Sequence, residues 1–252
     1  MIGSRMPQAG EMAQPNAHPF QGRTIGITGA RGALGSALAR CLKAAGADVV
    51  GFTHGSPPSQ SAGANRWVRW SCGAEAELDH ELAQLDVLVL NHGINPQGEQ
   101  SIDVVNTALE INALSSWRLM QRYEQICRSH PQDQPRELWV NTSEAEIQPA
   151  ISPVYEMTKR LLGQLVSMRG AVLDESGRQQ LIIRKLVLGP FRSELNPIGL
   201  MNADFVAQQV VRQASWGLRL VIVTPNPITY LLMPLAELGR RLYSQGLNRP
   251  GR

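Results

Sequence analysis

At 252 residues the chain has the length of a single α/β domain and can bury a sizeable core. Its 24 Lys and Arg residues and 21 Asp and Glu residues are spread along the sequence, so the net charge of +3 forms no basic run and we expect no nucleic-acid partner. The three cysteines lack zinc-site spacing and residues 1–21 contain no apolar signal core, so we expect a cytoplasmic protein without a metal site.

The sequence divides into a short leader and one domain. Residues 1–22 are rich in Met, Pro, Gln and Gly without periodicity, which predicts a flexible N-terminal leader. Residues 23–252 are predicted to form one domain that includes an apolar C-terminal segment, 225–243. The longest stretch without a charged residue, 220–236, is broken by prolines and is shorter than the roughly 20 residues that span a bilayer, so no transmembrane helix is expected.

Short β-branched runs alternate with helical patterns along this domain. Strands are predicted at 24–28, 48–53, 66–70, 86–91, 137–142, 181–188 and 218–224. Helices are predicted at 33–45, 77–84, 102–129, 154–173, 203–215 and 228–243. The alternation predicts a doubly wound (Rossmann) α/β fold, a parallel seven-stranded sheet with helices on both faces. Ligands of such sheets bind outside the carboxyl ends of the strands.

The first strand is followed by a glycine-rich loop, TGARGALG, at residues 28–35. Gly29 permits a tight turn, Gly32 lets the backbone approach a pyrophosphate, and Gly35 permits close packing of helix on strand. Ala33 and Leu34 begin the helix whose N-terminus would face the phosphates. The loop predicts a dinucleotide site, although a glycine-rich turn without a ligand remains the plain alternative.

Four further motifs follow the glycine loop in order. They are LNHGI at 90–94, which contains Asn91, His92 and Gly93; Asn112 in LEINALSSW; Ser143 in WVNTSEAE; and Tyr155 with Lys159 in SPVYEMTKR. From about residue 23 to residue 193 this ordered set resembles the short-chain dehydrogenase/reductase family. His92 stands in the place of the alanine in the family's N-A-G motif, and Ala33 stands where its middle glycine usually occurs.

The pair Tyr155 and Lys159 lies at a spacing that places both side chains on one face of a helix. A cation within about 4 to 6 Å favours a phenolate, so we expect Lys159 to lower the pKa of Tyr155. The resemblance implies that Tyr155 is the general acid/base and that Lys159 also holds the nicotinamide ribose. It implies further that Ser143 binds the substrate oxygen and that Asn112 anchors a water in the proton relay.

The segment LGPFRS, 188–193, occupies the place of the family's P-G-x-x-x-T motif, with Leu188 for the proline. The resemblance implies that Gly189, Phe191 and Ser193 meet the carboxamide side of the nicotinamide.

Cofactor choice is indicated by the end of the second predicted strand. That strand ends in Thr53 and His54, without the acidic residue that holds the ribose hydroxyls in NAD-dependent enzymes. Arg31 projects from the glycine loop toward the expected position of the adenosine ribose. We therefore predict a preference for NADP(H), the alternative being that Arg31 only solvates the loop.

The sequence leaves more than one interpretation open for several residues. His92 is either a packing residue beside the cofactor or a catalytic imidazole. Glu144 and Glu146 follow Ser143 and are either a solvated turn or a substrate contact. The C-terminal segment is a lid over the cleft, a partner site or part of the core, and its apolar residues predict a largely apolar substrate. These residues are Ile228, Tyr230, Leu231, Leu232, Met233 and Leu235.

These features predict an NADP(H)-dependent carbonyl reductase or alcohol dehydrogenase; a dinucleotide-sensing module that docks a partner without turnover is the alternative. More narrowly, segments around Tyr155, 183–199 and 223–235 resemble the reductase portion of proteins described as bifunctional sterol desaturase/short-chain dehydrogenase. The five histidines are scattered, so we expect no desaturase half. A homodimer or homotetramer is expected, because the helix carrying Tyr155 continues with extra apolar residues. They are Leu161, Leu162, Leu165 and Val166.

Overall fold

A computed structural model describes residues 18–58 and 63–247, with side chains described as far as residue 244. Most of the predicted leader therefore lies outside the described residues. In its described part, Phe20 is buried and its ring lies 5.4 Å from that of Trp139 on the central sheet. Phe20 thus joins the hydrophobic core ahead of Arg23.

The sheet contains seven parallel strands. They are β1 (Thr24–Thr28), β2 (Asp48–Thr53), β3 (Arg66–Arg69), β4 (Val87–Leu90), β5 (Arg136–Ser143), β6 (Leu181–Leu188) and β7 (Leu220–Val223). Their order is β3-β2-β1-β4-β5-β6-β7, with every neighbouring pair parallel. This order confirms the predicted doubly wound fold, and the strand order reverses beside β1, where such sheets bind their ligands.

Helices cover both faces of the sheet. They are α1 (Ala33–Ala44), α2 (Asp79–Ala83), α3 (Ile102–Leu109), α4 (Ser115–Ser129), α5 (Pro153–Val172), α6 (Glu175–Gln180), α7 (Ala203–Ser215) and α8 (Pro227–Leu247). Helices α1 and α7 pack together over one apolar cluster, while α2, α4 and α5 cover a second cluster on the opposite face. Helix α8 packs along α5.

Three details differ from the predicted elements. The predicted helix 102–129 is interrupted by a π-helical turn, Glu110–Leu114. The helix predicted at 77–84 begins as a 3₁₀ turn, Glu75–Leu78. Helix α6 was not predicted; its N-cap Asp174 accepts a 2.8 Å hydrogen bond from the Gly177 amide. Within the described ranges, no helix is both long enough and apolar enough to cross a bilayer.

Candidate active site

The glycine loop is shaped by close backbone approach. Gly29 has a φ of +63°, and a Cβ there would lie 2.9 Å from the Cα of His92. A Cβ on Gly35 would lie 2.3 Å from the Gly29 carbonyl oxygen. Both positions therefore require glycine, because the loop after β1 presses against the loop after β4.

Helix α1 presents an uncapped N-terminus at this loop. Its N-cap is Gly32, no side chain caps it, and its first turn contains no acidic residue. Ala33 and Leu34 contribute backbone amides there, while the Leu34 side chain is buried in the core. Unpaired amides at a helix N-terminus are a favourable site for phosphate, so the loop fits the pyrophosphate of a dinucleotide.

The residues after β4 join the loops that surround this site. The Asn91 amide donates to the Gly29 carbonyl at 3.4 Å and accepts from the Asn141 amide at 3.0 Å. Gly93 lies so close to Asn112 that a Cβ would be 3.0 Å from the Asn112 Oδ1 atom. Asn91 therefore links the carboxyl ends of β1, β4 and β5, while Gly93 permits the close approach of Asn112.

His92 is held by its neighbours. Its Nδ1 atom lies 2.8 Å from the Thr28 hydroxyl, and its ring packs edge-on against Trp70 at 5.1 Å. Burial and, to a smaller extent, the positive charge of Lys159 lower the pKa of His92 to about 4. His92 is therefore neutral near pH 7, as expected for a packing residue.

Asn112 lies in the π-helical turn and is fully buried. Its Oδ1 accepts from the Ile94 amide at 2.7 Å, and its Nδ2 donates to the Ile94 carbonyl at 2.9 Å and to the Thr158 hydroxyl at 3.0 Å. These bonds fasten the loop after β4 to α5. The side chain of Asn112 thus positions two elements of the site, one of which carries Tyr155.

Ser143, Tyr155 and Lys159 come together at the carboxyl end of β5. Ser143 is the last residue of β5, and its hydroxyl is near enough to the Tyr155 phenol to lower the pKa of that phenol. The Lys159 ammonium lies 5.7 Å from the centre of the Tyr155 ring and donates to the Asn141 carbonyl at 3.1 Å. The helical spacing of α5 therefore places phenol and ammonium side by side.

Burial favours the neutral forms of Tyr155 and Lys159, so it raises the pKa of the phenol and lowers the pKa of the ammonium. Burial raises the pKa of the Tyr155 phenol above its usual value, and the hydrogen bond from Ser143 partly offsets this. Burial lowers the pKa of Lys159 to about 8, although the negative charge of Glu146 opposes that shift. The expected lowering of the Tyr155 pKa by Lys159 is therefore wrong for the protein groups alone, because burial outweighs attraction.

The end of β2 faces Arg31. The Arg31 guanidinium donates to the Ser56 carbonyl at 3.3 Å, and a Cβ on Gly55 would lie 2.7 Å from its Nη1 atom. Thr53 is buried and accepts from the Gly55 amide, whereas the His54 side chain is exposed. Residues 53–58 contain no acidic side chain, so this corner of the site is basic.

The segment after β6 extends the site. Gly189 donates to the Val223 carbonyl at 2.9 Å, and a Cβ there would lie 2.4 Å from the Thr224 hydroxyl oxygen. Phe191 is half-buried against the core, and its backbone forms an isolated β-bridge with that of Met201. The Ser193 hydroxyl accepts from the Asn196 amide at 3.2 Å and so stabilises the local turn.

Glu144 and Glu146 both contact other residues of the chain. Glu144 Oε2 accepts from the hydroxyls of Thr224 at 2.5 Å and Thr229 at 3.2 Å, which ties the segment after β5 to the start of α8. The Glu146 side chain is fully buried, and its Oε2 lies 2.6 Å from the Lys185 ammonium.

Glu146 belongs to a buried ionic cluster. Lys185 also lies 2.8 Å from the Glu237 carboxylate, and Arg240 lies 2.9 Å from Glu146 and 2.8 Å from Glu237. Two cations thus face two carboxylates between β6, α5 and α8. This cluster was not predicted from the sequence, because Glu146 is 39 residues from Lys185 and 94 from Arg240, and Lys185 is 52 from Glu237. The one available signal was the presence of Lys185 inside an apolar strand run.

The apolar C-terminal residues divide between core and surface. Met233 is fully buried against Val187 and Ile222, so it packs on the sheet. The other five are exposed on α8: Ile228, Tyr230, Leu231, Leu232 and Leu235. The first turn of α8 adjoins the segment after β5, because Gln148 donates to Thr229 at 2.8 Å.

Fold and site together define a single Rossmann domain in which a serine, a tyrosine and a lysine gather at the carboxyl end of β5. Residues 25–145 match the family model described as the NAD dependent epimerase/dehydratase family. The monoglucosyldiacylglycerol epimerase of Synechocystis sp. (strain ATCC 27184 / PCC 6803 / Kazusa) is 40% identical over 229 residues, covering 89% of this chain and 54% of the relative. The chain thus spans about half the length of that curated relative.

Solved structures share the fold. A short-chain dehydrogenase from Sphingobium yanoikuyae in complex with NADPH superposes with a TM-score of 0.71 at 16% identity, covering 91% of this chain and 98% of that one. A short-chain dehydrogenase from Burkholderia cenocepacia J2315 in complex with NADP gives 0.69 at 14% identity, covering 92% and 99%. These superpositions show that the chain shares the fold of those two proteins. The comparisons do not show the narrower resemblance to bifunctional sterol desaturase/short-chain dehydrogenase proteins.

Proposed function

We propose that this chain moves a hydride between NADP(H) and a carbon that alternates between alcohol and ketone, with Tyr155 as general acid/base. The observation that carries the proposal is the convergence of Ser143, Tyr155 and Lys159 at the carboxyl end of β5. A positioned proton donor beside a hydroxyl that can bind the same oxygen is what carbonyl reduction requires.

The residues of the site fit a nicotinamide dinucleotide. The uncapped N-terminus of α1 and the tight turn at Gly29 would hold the pyrophosphate. The Lys159 ammonium would hold the nicotinamide ribose, and Gly189, Phe191 and Ser193 would border the carboxamide side. When bound, this cofactor supplies or accepts the hydride.

Side chains of the protein would bind the substrate oxygen and donate the proton to it. In the reducing direction the substrate oxygen would accept hydrogen bonds from Ser143 and Tyr155, and the phenol would give its proton to that oxygen. The elevated pKa of Tyr155 keeps the phenol protonated near pH 7, and the cationic Lys159 stabilises the phenolate that forms. Asn112 would keep this geometry by fastening α5 to the loop after β4.

The preference for NADP(H) rests on the basic corner at the end of β2. Arg31 lies against Gly55 and Ser56, and no carboxylate in residues 53–58 would repel a ribose phosphate. A charge-assisted contact to phosphate is worth about 1.5 to 3 kcal/mol, roughly tenfold to a hundredfold in affinity.

The substrate is proposed to have a large apolar part. Ile228 and Leu231 are exposed in the first turns of α8, next to the segment that follows Ser143. Ile151, between Ser143 and Tyr155 in the chain, is 89% exposed. Apolar side chains on both flanks of the site favour such a substrate.

The test is NADPH oxidation with a panel of ketones and aldehydes. Turnover that falls at least a hundredfold in Tyr155→Phe and is unchanged in Tyr243→Phe, which alters an exposed phenol, would support the proposal. Turnover undiminished in Tyr155→Phe would refute the role of Tyr155.

For cofactor choice, the ratio of NADPH to NADH affinity is expected to fall at least tenfold in Arg31→Ala and to stay unchanged in Lys43→Ala, which removes one distant exposed charge.

A second function, epimerisation of a sugar carbon, is favoured by the 40% identical relative. Oxidation of one carbinol carbon followed by reduction on its opposite face returns the hydride and the Tyr155 proton, so no net oxidant is needed. Incubation with monoglucosyldiacylglycerol and a small amount of NADP⁺ distinguishes the two functions. Inversion without accumulation of NADPH supports epimerisation, whereas reduction of the added NADP⁺ with formation of an equal amount of ketone supports a dehydrogenase. Tight NADPH binding with neither reaction and with capture of a partner would instead favour a sensing module.

A further inference from the structure

The outer face of α8 is apolar along its whole described length. Five large side chains recur at alternating spacings of three and four residues, which places them on one stripe of the helix. They are 54 to 64% exposed: Ile228, Leu231, Leu235, Leu238 and Leu242. We call this set the α8 stripe. Soluble surfaces rarely leave so long a row of apolar side chains uncovered.

The inner face of α8 accounts for how the helix is held. Thr229, Met233, Glu237 and Arg240 follow one another on the side opposite the stripe. Met233 packs on the sheet, while Glu237 and Arg240 join the buried ionic cluster. Because Glu237 is the only acidic residue in α8 and is buried, the outer side of this helix carries no negative charge.

Basic side chains gather near the C-terminal end of the stripe. A cavity of about 150 Å³ between α5, β6 and α8 is lined by Arg178, Arg219 and Arg241, together with apolar residues and glycine. All three arginines are exposed, and none forms an ion pair with a carboxylate among the described residues. A cavity with three uncompensated guanidinium groups is suited to an anion.

We propose that the α8 stripe and the three arginines dock this protein on an anionic lipid surface. Helix α8 lies in the plane of such a surface, with the stripe among the acyl chains and the arginines against the headgroups. Its 21 residues include Pro234 and three charged side chains, so it lies on the surface and does not span it.

A lipid surface fits these features better than a second copy of the chain. Arg241 is the one exposed charge among the described residues of α8, so the same helix in a second copy supplies no opposite charge to set the register of a helix pair, and Pro234 interrupts the helix. The chain has a net charge of +3, and the cavity lined by the three arginines has no carboxylate in its lining, so a second copy offers little charge complementarity. Anionic headgroups supply that complementarity. This surface does not depend on the proposed function, because binding to a bilayer needs no turnover.

The test is co-sedimentation of the 252-residue chain with vesicles. We expect binding to vesicles of phosphatidylcholine and phosphatidylglycerol in equal parts, and at least tenfold weaker binding to phosphatidylcholine alone. Leu235→Glu is expected to weaken binding at least tenfold, because it places a charge in the middle of the stripe. Phe205→Glu, which changes an equally exposed apolar residue on α7 across the sheet, is expected to bind like the wild type.

Charge is tested separately from the stripe. Arg219→Gln and Arg241→Gln are each expected to weaken binding to the mixed vesicles about fivefold, without effect on the weak binding to phosphatidylcholine. If Leu235→Glu fails to fold by circular dichroism, Leu231→Gln replaces it. Absence of wild-type binding to the mixed vesicles would overturn the proposal, as would binding that the stripe and arginine variants leave unchanged. A wild-type dimer that Leu235→Glu converts to a monomer, with no vesicle binding, would show that a second copy covers the stripe.

Discussion

Tyr155 and Lys159 are one helical turn apart, yet their pKa values are governed first by burial. Burial favours the neutral form of both groups, which keeps the phenol protonated and brings the pKa of Lys159 to about 8. The phenol is therefore protonated near neutral pH, while the charge on the Lys159 ammonium changes with pH around its pKa of about 8.

This dependence predicts how dinucleotide binding changes with pH. Lys159 is largely charged at pH 7 and largely neutral at pH 9, because its pKa is about 8. We expect the affinity for NADPH to fall about tenfold between these values, as a charge-assisted hydrogen bond to the ribose is lost. Fluorescence titration of NADPH at a series of pH values measures this fall.

Lys159→Gln is the matched variant for that titration. It is expected to bind NADPH more weakly than the wild type at pH 7 and with nearly the same affinity at pH 9. A pH dependence that persists in Lys159→Gln would show that another group controls binding.

At the same scale, the motif order was enough to predict that Ser143, Tyr155 and Lys159 would come together, because each follows or faces the carboxyl end of β5. The contacts of Glu146 were not predictable in this way. Its partners Lys185 and Arg240 lie on β6 and α8, and only the packing of α8 along α5 brings them together.

Gly163 in helix α5 leaves the space that the buried Glu146 carboxylate occupies. A Cβ on Gly163 would lie 1.9 Å from the Glu146 Oε2 atom and 2.0 Å from its Cδ atom. Glu146 is held by Lys185 and Arg240 and cannot move away without leaving buried charges unpaired. The glycine is therefore needed at this site even though it weakens the helix intrinsically.

Gly163→Ala is expected to lower the free energy of unfolding by about 3 kcal/mol, through overpacking and disruption of the ionic cluster. Gly170→Ala in the same helix is the control, since a Cβ there meets no atom within 4 Å. It is expected to leave the free energy of unfolding unchanged or to raise it by up to about 1 kcal/mol. Urea denaturation measures both, and equal effects would contradict this role of Gly163.

The π-helical turn at Glu110–Leu114 shows what helical periodicity does not predict. Apolar spacing indicated one helix across 102–129, and the chain does run helically through that range. The extra residue in the turn accompanies Asn112, whose side chain bonds to the Ile94 backbone and to Thr158. Those partners are distant in sequence, so the local pattern contains no signal for the turn.

For the whole molecule, the doubly wound parallel fold could be predicted because alternating apolar strands and amphipathic helices restrict a parallel sheet to few topologies. The homodimer or homotetramer stays a prediction. Of the apolar residues expected at that interface, Leu162 and Val166 are buried within the chain, whereas Leu161 and Leu165 are half-buried. Helix α5 also packs against α8, so part of the surface expected to meet a second copy is covered by the chain itself.

Acid is expected to weaken the whole fold through Glu75. Burial alone would raise its pKa, but hydrogen bonds from Arg118, Ser115 and the Gly73 amide lower it to about 2, from a usual value of 4.5. A depressed carboxyl pKa stabilises the folded state fully above about pH 4.5, and this contribution is lost as the pH falls from 4.5 to about 2.

Glu75→Gln is therefore expected to be less stable than the wild type at pH 7, by about 2 kcal/mol, and the two stabilities should converge toward pH 2. Glu77→Gln, in the same 3₁₀ turn but exposed, is expected to follow the wild type. Urea unfolding at pH 7, 5, 4 and 3 gives the three curves, and a constant gap between wild type and Glu75→Gln would show that Glu75 does not link folding to protonation.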